Sequence, residues 1–517
     1  MTRMLIVLRG LFGLLLLACA GHARAYHASV DAAPDLVLQG ELSGRDHQTY
    51  RSVPFEVPAG TARITVEFDY SGRDRKTTID LGILGPDGFR GQDGFRGWSG
   101  GNKRIFTLSA SDATPSYLPG PIRAGRWALL LGIPNIRADE HAEYRARIWL
   151  TGEDQSDAAG PESLSPVLRA QPGWYRGDLH MHTAHSDASC TSQSGARVPC
   201  PLFLTAQAAS QRGLDFVAVT DHNTVSHLHD IRGLQPYFDR LLMMPGMEIT
   251  TFQGHVNVFG LQRDLDFRVG SDAVPHWNAL LAELQRRGLP ASINHPIRPS
   301  DERCMGCGWT PRTPVDMSRI AAVEAVNGDD AGTPASGLPF WYRQLNAGHR
   351  LTAIGGSDNH DAALQERRPG TSGIGTPTTV VHAQALSQAA VLEGIRRGRV
   401  YVDVEGSAHR RLIMTAQYAG GVAQMGDALT VRAGERIRFD LEIADGAGAQ
   451  VEWLLDGAPM APREVLHAAE GRLQREWRSD GRRHWLSANA YGADGRLHLI
   501  GNPIYLNFAE PAPSPAR

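Results

Sequence analysis

The chain has 517 residues, of which 42% are hydrophobic and 21% charged, a composition typical of folded globular proteins rather than of disordered chains or membrane bundles. The formal net charge of -3 argues against a dedicated nucleic-acid binder, which would carry a basic domain. Only Lys76 and Lys103 are lysines, so no G-x-x-x-x-G-K-[ST] loop exists and a Schiff-base enzyme would have almost no candidate amine. Histidine, with 20 residues, is abundant.

The first 25 residues read as a secretory signal peptide. Arg3 and Arg9 precede the apolar stretch 11–20, and the Ala-Arg-Ala sequence at 23–25 fits a cleavage site. The stretch is too short for a transmembrane helix, which needs about 20 residues. We therefore expect an exported protein, periplasmic or secreted, without a transmembrane segment. Cys19 ends a lipobox-like sequence and leaves open a lipid-anchored form.

The hydrophobic pattern divides the rest of the chain into regions. Short alternating runs predict a β-sandwich over 26–150, followed by a Gly/Ser/Asp/Pro-rich linker over 151–170. Over 171–403 strand and helix patterns alternate, which predicts an α/β domain on a mostly parallel sheet. Short strands return over 404–509 and predict a second β-sandwich. The Pro-rich segment 510–517 is expected to be a disordered tail.

Four cysteines follow the predicted signal peptide. In an oxidising compartment an even number favours disulfides, and a Cys190–Cys200 pair would close a short loop. The Cys304-x-x-Cys307 pair favours a local disulfide over half of a zinc site, because no second pair follows at zinc-finger spacing. The sequence alone leaves the connectivity open.

Metal-binding residue types recur where the apolar strands of the central region end. At the carboxyl ends of strands in barrels and open α/β sheets, side chains from different strands converge on an active site. Nine imidazoles and carboxylates exceed the needs of one tetrahedral zinc, and they predict two or three divalent ions, Zn, Mn or Fe. The candidate ligands are His180, His182, Asp187, His222, Glu248, His255, His295, Asp358 and His360.

A series of motifs in these positions closely resembles the PHP superfamily, named for polymerase and histidinol phosphatase. The motifs are Gly177–Asp187, Val219–Asn223, Gly246–Glu248, Gly254–His255, Asn294–Pro296 and Gly356–His360, and they occur in the family's order. The resemblance implies a distorted (β/α)7 TIM-like barrel, here flanked by the N-terminal and C-terminal β-sandwiches. The exported, β-flanked layout looks most like the carbaryl-hydrolase-like branch of the superfamily.

The resemblance also implies how the ligands are shared among three metals. The first metal would be held by His180, His182, Glu248 and Asp358. Glu248 would bridge to a second metal, held also by His255 and His295, and the third would take Asp187, His222 and His360. After Asp187 the chain departs from the family pattern, since Ala188 replaces a common Gly and a cysteine-bearing loop is inserted.

The chemistry expected of this cluster is hydrolysis of a phosphoester by a metal-bound hydroxide, with no side-chain nucleophile. Arg298 is a candidate contact for the anionic substrate or else a solvent-exposed loop charge, and Asn223 is a second candidate substrate contact. The same hydroxide could attack a carboxylic or carbamate ester, which is the first alternative. The others are a serine hydrolase using Ser99 of a G-x-S-x-G sequence and a non-catalytic surface protein that binds glycans or cell-wall material.

Overall fold

A computed structural model describes residues 33–90, 93–101, 103–152, 166–302, 304, 306–364 and 371–508 of the chain. The predicted signal peptide with Cys19, most of the expected linker and the Pro-rich tail lie outside the described residues. In the part of the chain that the structure describes, no helix is long and apolar enough to cross a membrane.

The N-terminal region is built of eight strands. They are β1 (Leu36–Ser43), β2 (Thr49–Val57), β3 (Thr61–Tyr70), β4 (Thr78–Leu84), β5 (Phe95–Ser99), β6 (Ile105–Ser109), β7 (Gly125–Asn135) and β8 (His141–Gly152). They form two four-stranded antiparallel sheets with strand orders β1-β8-β3-β6 and β2-β7-β4-β5. Alternate residues along the strands point inward, and residues such as Ile64, Phe106, Leu129 and Ile148 form one buried core between the sheets.

The central region contains the five α-helices of the described residues. Its first elements are β9 (Gly173–Asp178), β10 (Ser189–Thr191), β11 (Arg197–Pro199), α1 (Leu202–Gln211), β12 (Phe216–Val219), α2 (Leu228–Leu234), β13 (Leu242–Thr251) and β14 (Gly254–Phe259). The later ones are α3 (Trp277–Arg286), β15 (Ala291–Ile293), β16 (Ala322–Asn327), α4 (Leu338–Asn346), β17 (Thr352–Gly356), β18 (Thr378–Ala383), α5 (Gln388–Arg396) and β19 (Val400–Asp403).

The C-terminal region is made of short strands. They are β20 (Arg411–Tyr418), β21 (Gly421–Gln424), β22 (Ala428–Leu429), β23 (Arg436–Ala444), β24 (Gln450–Leu455), β25 (Ala458–Pro459), β26 (Glu464–Val465), β27 (Gly471–Arg478), β28 (His484–Tyr491), β29 (Leu497–Gly501) and β30 (Ile504–Leu506). A four-stranded sheet, β21-β20-β23-β27, shares a core with β24, β28, β29 and β30, in which Phe439, Trp453 and Leu486 are buried.

The prediction of a (β/α)7 barrel is wrong. Such a barrel needs parallel strands that are each followed by a helix, whereas most of the regular structure among the described residues is strand. β13 returns directly as the antiparallel β14 through the two-residue turn at Phe252 and Gln253, and β18 runs antiparallel to both β9 and β19. Among the described strands of the central region, β9, β12 and β13 and, separately, β15, β16 and β17 are the ones that pair in parallel.

The central sheet also continues beyond the central region. Its hydrogen-bonded order is β17-β16-β15-β14-β13-β12-β9-β18-β19-β29-β28-β24, because β19 pairs with β29 through Tyr401 and Gly501. Strands β22, β24–β26 and β28–β30 therefore belong to one 16-stranded mixed sheet with the central strands, and the four-stranded sheet β21-β20-β23-β27 packs against this extension. This pairing joins segments about 100 residues apart, which local hydrophobic periodicity does not encode.

Candidate metal centre

The nine predicted ligands lie together at one edge of the central sheet. His180 and His182 follow β9, His222 follows β12, Glu248 is in β13, His255 is in β14, His295 follows β15, and Asp358 and His360 follow β17, while Asp187 lies in the loop after β9. The parallel strands place their carboxyl ends at this edge. Because β14 is antiparallel, it reaches the same edge with its first residues, and this is why His255 joins the group.

Glu248 is at the centre of the cluster. Its side chain is 1% exposed. Its Oε2 lies 2.8 Å from Nδ1 of His222 and 3.4 and 3.5 Å from Nε2 of His180 and His182, and its Oε1 lies 3.1 Å from Nδ1 of His255 and 3.3 Å from Nε2 of His295. Each carboxylate oxygen thus faces its own set of imidazoles, as a bridging ligand would.

Asp358 is the second buried carboxylate. Its Oδ1 lies 3.2 Å from Nε2 of His182 and 3.3 Å from Nε2 of His180. Its Oδ2 accepts a hydrogen bond from Nη1 of Arg298 at 3.0 Å. One oxygen is therefore directed at the histidines and the other at a guanidinium.

A third group lies nearer the surface. Oδ1 of Asp187 is 3.3 Å from Nε2 of His360 and 3.6 Å from Nε2 of His222. The ring of His182 stacks between these two histidines, with centroids 4.1 Å from His360 and 4.2 Å from His222. His182 therefore connects the outer group to the buried one.

These atoms form four groups, each compact enough to hold an ion, with ligand atoms within 4.8 Å of one another. The groups are His182, Asp187, His222 and His360; His180, His182 and Glu248; His180, His295 and Asp358; and His255, His295 and Cys307. The outer group contains the three residues that the family resemblance assigns to a third metal, with His182 added. The four residues assigned to the first metal are instead divided between two groups that share His180.

The donor atoms fit a divalent metal. Buried polar atoms normally have hydrogen-bond partners. Three ring nitrogens in the cluster have none among the described residues: Nε2 of His180, Nδ1 of His182 and Nε2 of His255. Imidazole nitrogen and carboxylate oxygen suit Zn, Mn or Fe alike, so the donor set supports divalent metal binding without selecting the element.

Cys307 belongs to the last group through its sulfur, but that sulfur is in a disulfide with Cys304. Its main-chain oxygen has a more direct role, because Nδ1 of His295 donates to it at 3.1 Å. This hydrogen bond places the His295 proton on Nδ1 and leaves Nε2 available towards Glu248. A second disulfide joins Cys190 to Cys200, with Cα atoms 4.7 Å apart.

Sequence reasoning missed Glu324, which is 1% exposed in β16. Its Oε1 accepts from Nδ1 of His180 at 2.6 Å, and its Oε2 accepts from the main-chain N–H of His295 at 3.0 Å. A carboxylate behind a ligating histidine fixes the orientation of the ring. The available signal was an acidic residue inside the apolar run 321–326, where a charge without a partner would be costly.

Both predicted substrate contacts, Arg298 and Asn223, already pair with other groups of the protein. The side chain of Arg298 is 15% exposed and pairs with Asp358 and with Asp330, each at 3.0 Å, so it is not a solvent-exposed loop charge. Asn223 exchanges two hydrogen bonds with the main chain of Thr250, at 2.9 and 3.0 Å, and so fixes the loop after β12 against β13.

Three residues of the site have left-handed backbone conformations although they are not glycine. The φ angles are 51° for Asn223, 26° for His295 and 53° for Asp358. Such conformations cost about 1–3 kcal/mol and cluster at functional sites. They turn the chain sharply where the strands end and direct the side chains of His295 and Asp358 into the cluster.

The histidines of the cluster differ in pKa because their electrostatic surroundings differ. Burial lowers the pKa of His182 to about 4, helped by the neighbouring charges of His360 and His222. Burial also opposes the charged form of His360, but its hydrogen bond to Asp187 and the charge of Asp358 raise its pKa to about 9. For Glu248, burial acts against ionisation, yet the surrounding histidines hold its pKa well below the usual range.

Ser99 is not placed as a nucleophile. It ends β5, is 2% exposed, and its Oγ lies 2.9 Å from the hydroxyl of Tyr117. The nucleophile elbow of serine hydrolases needs a strand followed directly by a helix, whereas the next regular element after β5 is β6.

Proteins similar to this chain are found among the solved structures. No family model and no curated protein matches the chain. A crystal structure from Bacteroides vulgatus, described as a two-domain protein containing a predicted PHP-like metal-dependent phosphoesterase, matches with 15% identity and a TM-score of 0.35. The match covers 65% of this chain and 96% of that one. Similarity at this level assigns neither a fold nor a function to the chain.

Proposed function

We propose that the protein is a metal-dependent hydrolase that acts on phosphoesters. The observation that carries the proposal is the convergence of six histidines and two further carboxylates around Glu248. The motif series that resembles the PHP superfamily supports the same chemistry. Divalent ions held there would supply Lewis-acid stabilisation and lower the pKa of a bound water.

The residues of the cluster would divide the work of holding these ions. Glu248 presents one oxygen to His255 and His295 and the other to His180, His182 and His222, which suits a bridge between neighbouring ions. Asp187 is the most exposed member of the set, with a side chain 59% exposed. The substrate would therefore approach from the side of Asp187 and His360.

The first test is metal content followed by activity. The purified chain is supplied separately with Zn, Mn and Fe, its bound metal is quantified, and it is assayed with nitrophenyl phosphate, its diester and an aryl carbamate. We expect at least two ions per chain and phosphoester hydrolysis that a chelator abolishes. Fewer than two ions per chain would contradict the cluster.

Two variants sharpen this test. Glu248→Gln removes the charge shared by five imidazoles and should abolish both metal binding and hydrolysis. Glu452→Gln is the matched control, because Glu452 is also a largely buried glutamate in a strand, 14% exposed, but it contacts Arg463 in the C-terminal region. If the chain binds its full complement of metal but hydrolyses only the carbamate, the substrate is a carbamate ester and not a phosphoester.

We also propose that the protein acts outside the cytoplasm. The two disulfides are the supporting feature, since such bonds persist in oxidising compartments. Fractionation of producing cells tests this, and recovery of the chain only in the cytoplasm would contradict it. Membrane recovery that depends on Cys19 would identify the lipid-anchored form.

A further inference from the structure

A chain of hydrogen bonds links His180 to Asp358 behind the cluster. Oε1 of Glu324 accepts from Nδ1 of His180 at 2.6 Å, and Oε2 of Glu324 accepts from Nδ2 of Asn327 at 2.9 Å. Arg298 donates from Nη2 to the side-chain oxygen of Asn327 and from Nη1 to Oδ2 of Asp358, the latter at 3.0 Å. Nε2 of His180 and Oδ1 of Asp358, 3.3 Å apart, close the ring on the side of the proposed metals.

Two intermediate members of this ring are almost fully buried, and the third, Arg298, is 15% exposed. Glu324 is 1% and Asn327 2% exposed. Glu324 receives a third hydrogen bond, from the main-chain N–H of His295. Gly356 leaves the room for this packing, because a Cβ there would lie 2.7 Å from Oε1 of Glu324 and 2.4 Å from Cβ of His180.

We propose that Glu324, Asn327 and Arg298 are positioning residues that set the metal-binding state of His180 and Asp358, an inference that rests on the metal-dependent function proposed above. A carboxylate only accepts hydrogen bonds, so Glu324 keeps the His180 proton on Nδ1 and leaves the Nε2 lone pair for a metal. Arg298 occupies Oδ2 of Asp358 and leaves Oδ1 as the ligand atom.

This role differs from the contact to an anionic substrate that the sequence predicts for Arg298. Two carboxylates, Asp358 and Asp330, neutralise its guanidinium at 3.0 Å each, and Asn327 accepts from it as well. A planar guanidinium can hold these partners in fixed directions, which the ammonium of a lysine cannot reproduce. These partners thus hold the guanidinium in the orientation that aligns Asp358.

Two substitutions test the proposal. Glu324→Gln keeps the shape but offers one acceptor oxygen to three donors, so its amide must oppose at least one of them. Arg298→Lys keeps the positive charge but loses the planar guanidinium that donates to several partners in fixed directions. Arg399→Lys is the matched control, since Arg399 is 14% exposed, against 15% for Arg298, and its ion-pair partner is Asp427, at 2.6 Å.

The primary readout is metal affinity, measured on the full chain by competition with a chromophoric chelator for Zn or Mn. We expect Glu324→Gln and Arg298→Lys to bind metal roughly 10–100-fold more weakly than the unsubstituted chain, and Arg399→Lys to bind it equally. At saturating metal, KM for the phosphoester should be unchanged in Arg298→Lys, while kcat falls.

Two kinds of result would contradict these proposals, one for the positioning role and one for the metal-dependent function. Unaltered metal affinity in Glu324→Gln, or a raised KM with normal metal affinity in Arg298→Lys, overturns the positioning role. If Glu324→Gln does not fold, Arg298→Lys decides alone. Failure of the unsubstituted chain to bind metal would instead overturn the proposed function.

Discussion

Oδ1 of Asp187 lies 3.3 Å from Nε2 of His360, and this contact joins the loop after β9 to the loop after β17 at the open side of the cluster. The two residues are 173 positions apart in the chain, yet the carboxylate is held between His360 and His222. Because the Asp187 side chain is more than half exposed, it can be changed with little effect on the core.

The first prediction concerns this contact. Asp187→Asn should remove about one equivalent of metal per chain and leave the more buried ligands loaded, because an amide is a weaker ligand than a carboxylate. Elemental analysis after dialysis measures the change. Asp230→Asn is the control, since Asp230 also pairs with a histidine, His185 at 3.0 Å, outside the ligand groups. Equal metal content in both variants would exclude the outer group as a metal site.

The second prediction is the pH dependence of metal binding. Without metal, the His360 pKa of about 9 keeps its ring protonated at neutral pH, whereas Asp187, with a pKa of about 2, is already ionised. A metal must displace the His360 proton, so affinity should fall as the pH drops below about 9, with proton release on binding at neutral pH. Calorimetry in buffers of different ionisation enthalpy measures that release. Binding without any proton release would contradict it.

Much of the site can be predicted from the sequence, because metal-binding residue types are easily recognised at the ends of apolar strands. His180, Asp358 and the other ligands interrupt apolar strands, and the convergence of strand ends required no knowledge of the complete sheet. The barrel that the family resemblance implies is wrong, because neither the motifs nor the local periodicity fixes the direction of each strand, which is a long-range property. The turn at Phe252 and Gln253 gives no strong hairpin signal of the Asn-Gly type, so the sequence does not indicate the antiparallel return of β14.

The supporting residues were harder to predict for a different reason. Glu324 and Arg298 act through partners that only the folded chain brings near, namely His180 and Asp358. A single buried acidic residue or a loop arginine has many alternative explanations in a sequence. Their roles follow from distances, which composition and spacing do not contain.

The third prediction concerns the disulfide between Cys190 and Cys200. It closes the hairpin β10–β11, which contacts the site through a hydrogen bond of 2.8 Å from Ser189 N–H to the main-chain oxygen of His360. Replacing both cysteines by serine should lower the free energy of unfolding by about 2–3 kcal/mol, on loop-closure entropy. Urea unfolding measures the loss, and metal analysis should show weaker loading of the outer group. Unchanged stability would show that the hairpin is held by its other contacts.

The fourth prediction addresses how the N-terminal region is attached to the central one. Asp112 is fully buried and accepts from Arg63 of β3 at 2.6 Å and from Arg232 of α2, which belongs to the central region. Burial opposes the ionisation of Asp112, but the two arginines hold its pKa well below the usual range. Asp112→Asn would leave two guanidinium groups facing an amide and should cost about 3–5 kcal/mol in the free energy of unfolding.

Because Asp112 lies outside the metal cluster, the same variant should bind metal normally while it remains folded. Urea unfolding followed separately in the two regions, for example by limited proteolysis, should show that the N-terminal sheets now unfold before the metal-containing region. In the unsubstituted chain the depressed Asp112 pKa stabilises the attachment above the ordinary carboxyl pKa of 3.8, and this contribution is lost as the pH falls through the lower folded-state value. A single unfolding transition of unchanged midpoint in Asp112→Asn would show that the attachment does not depend on this ion pair.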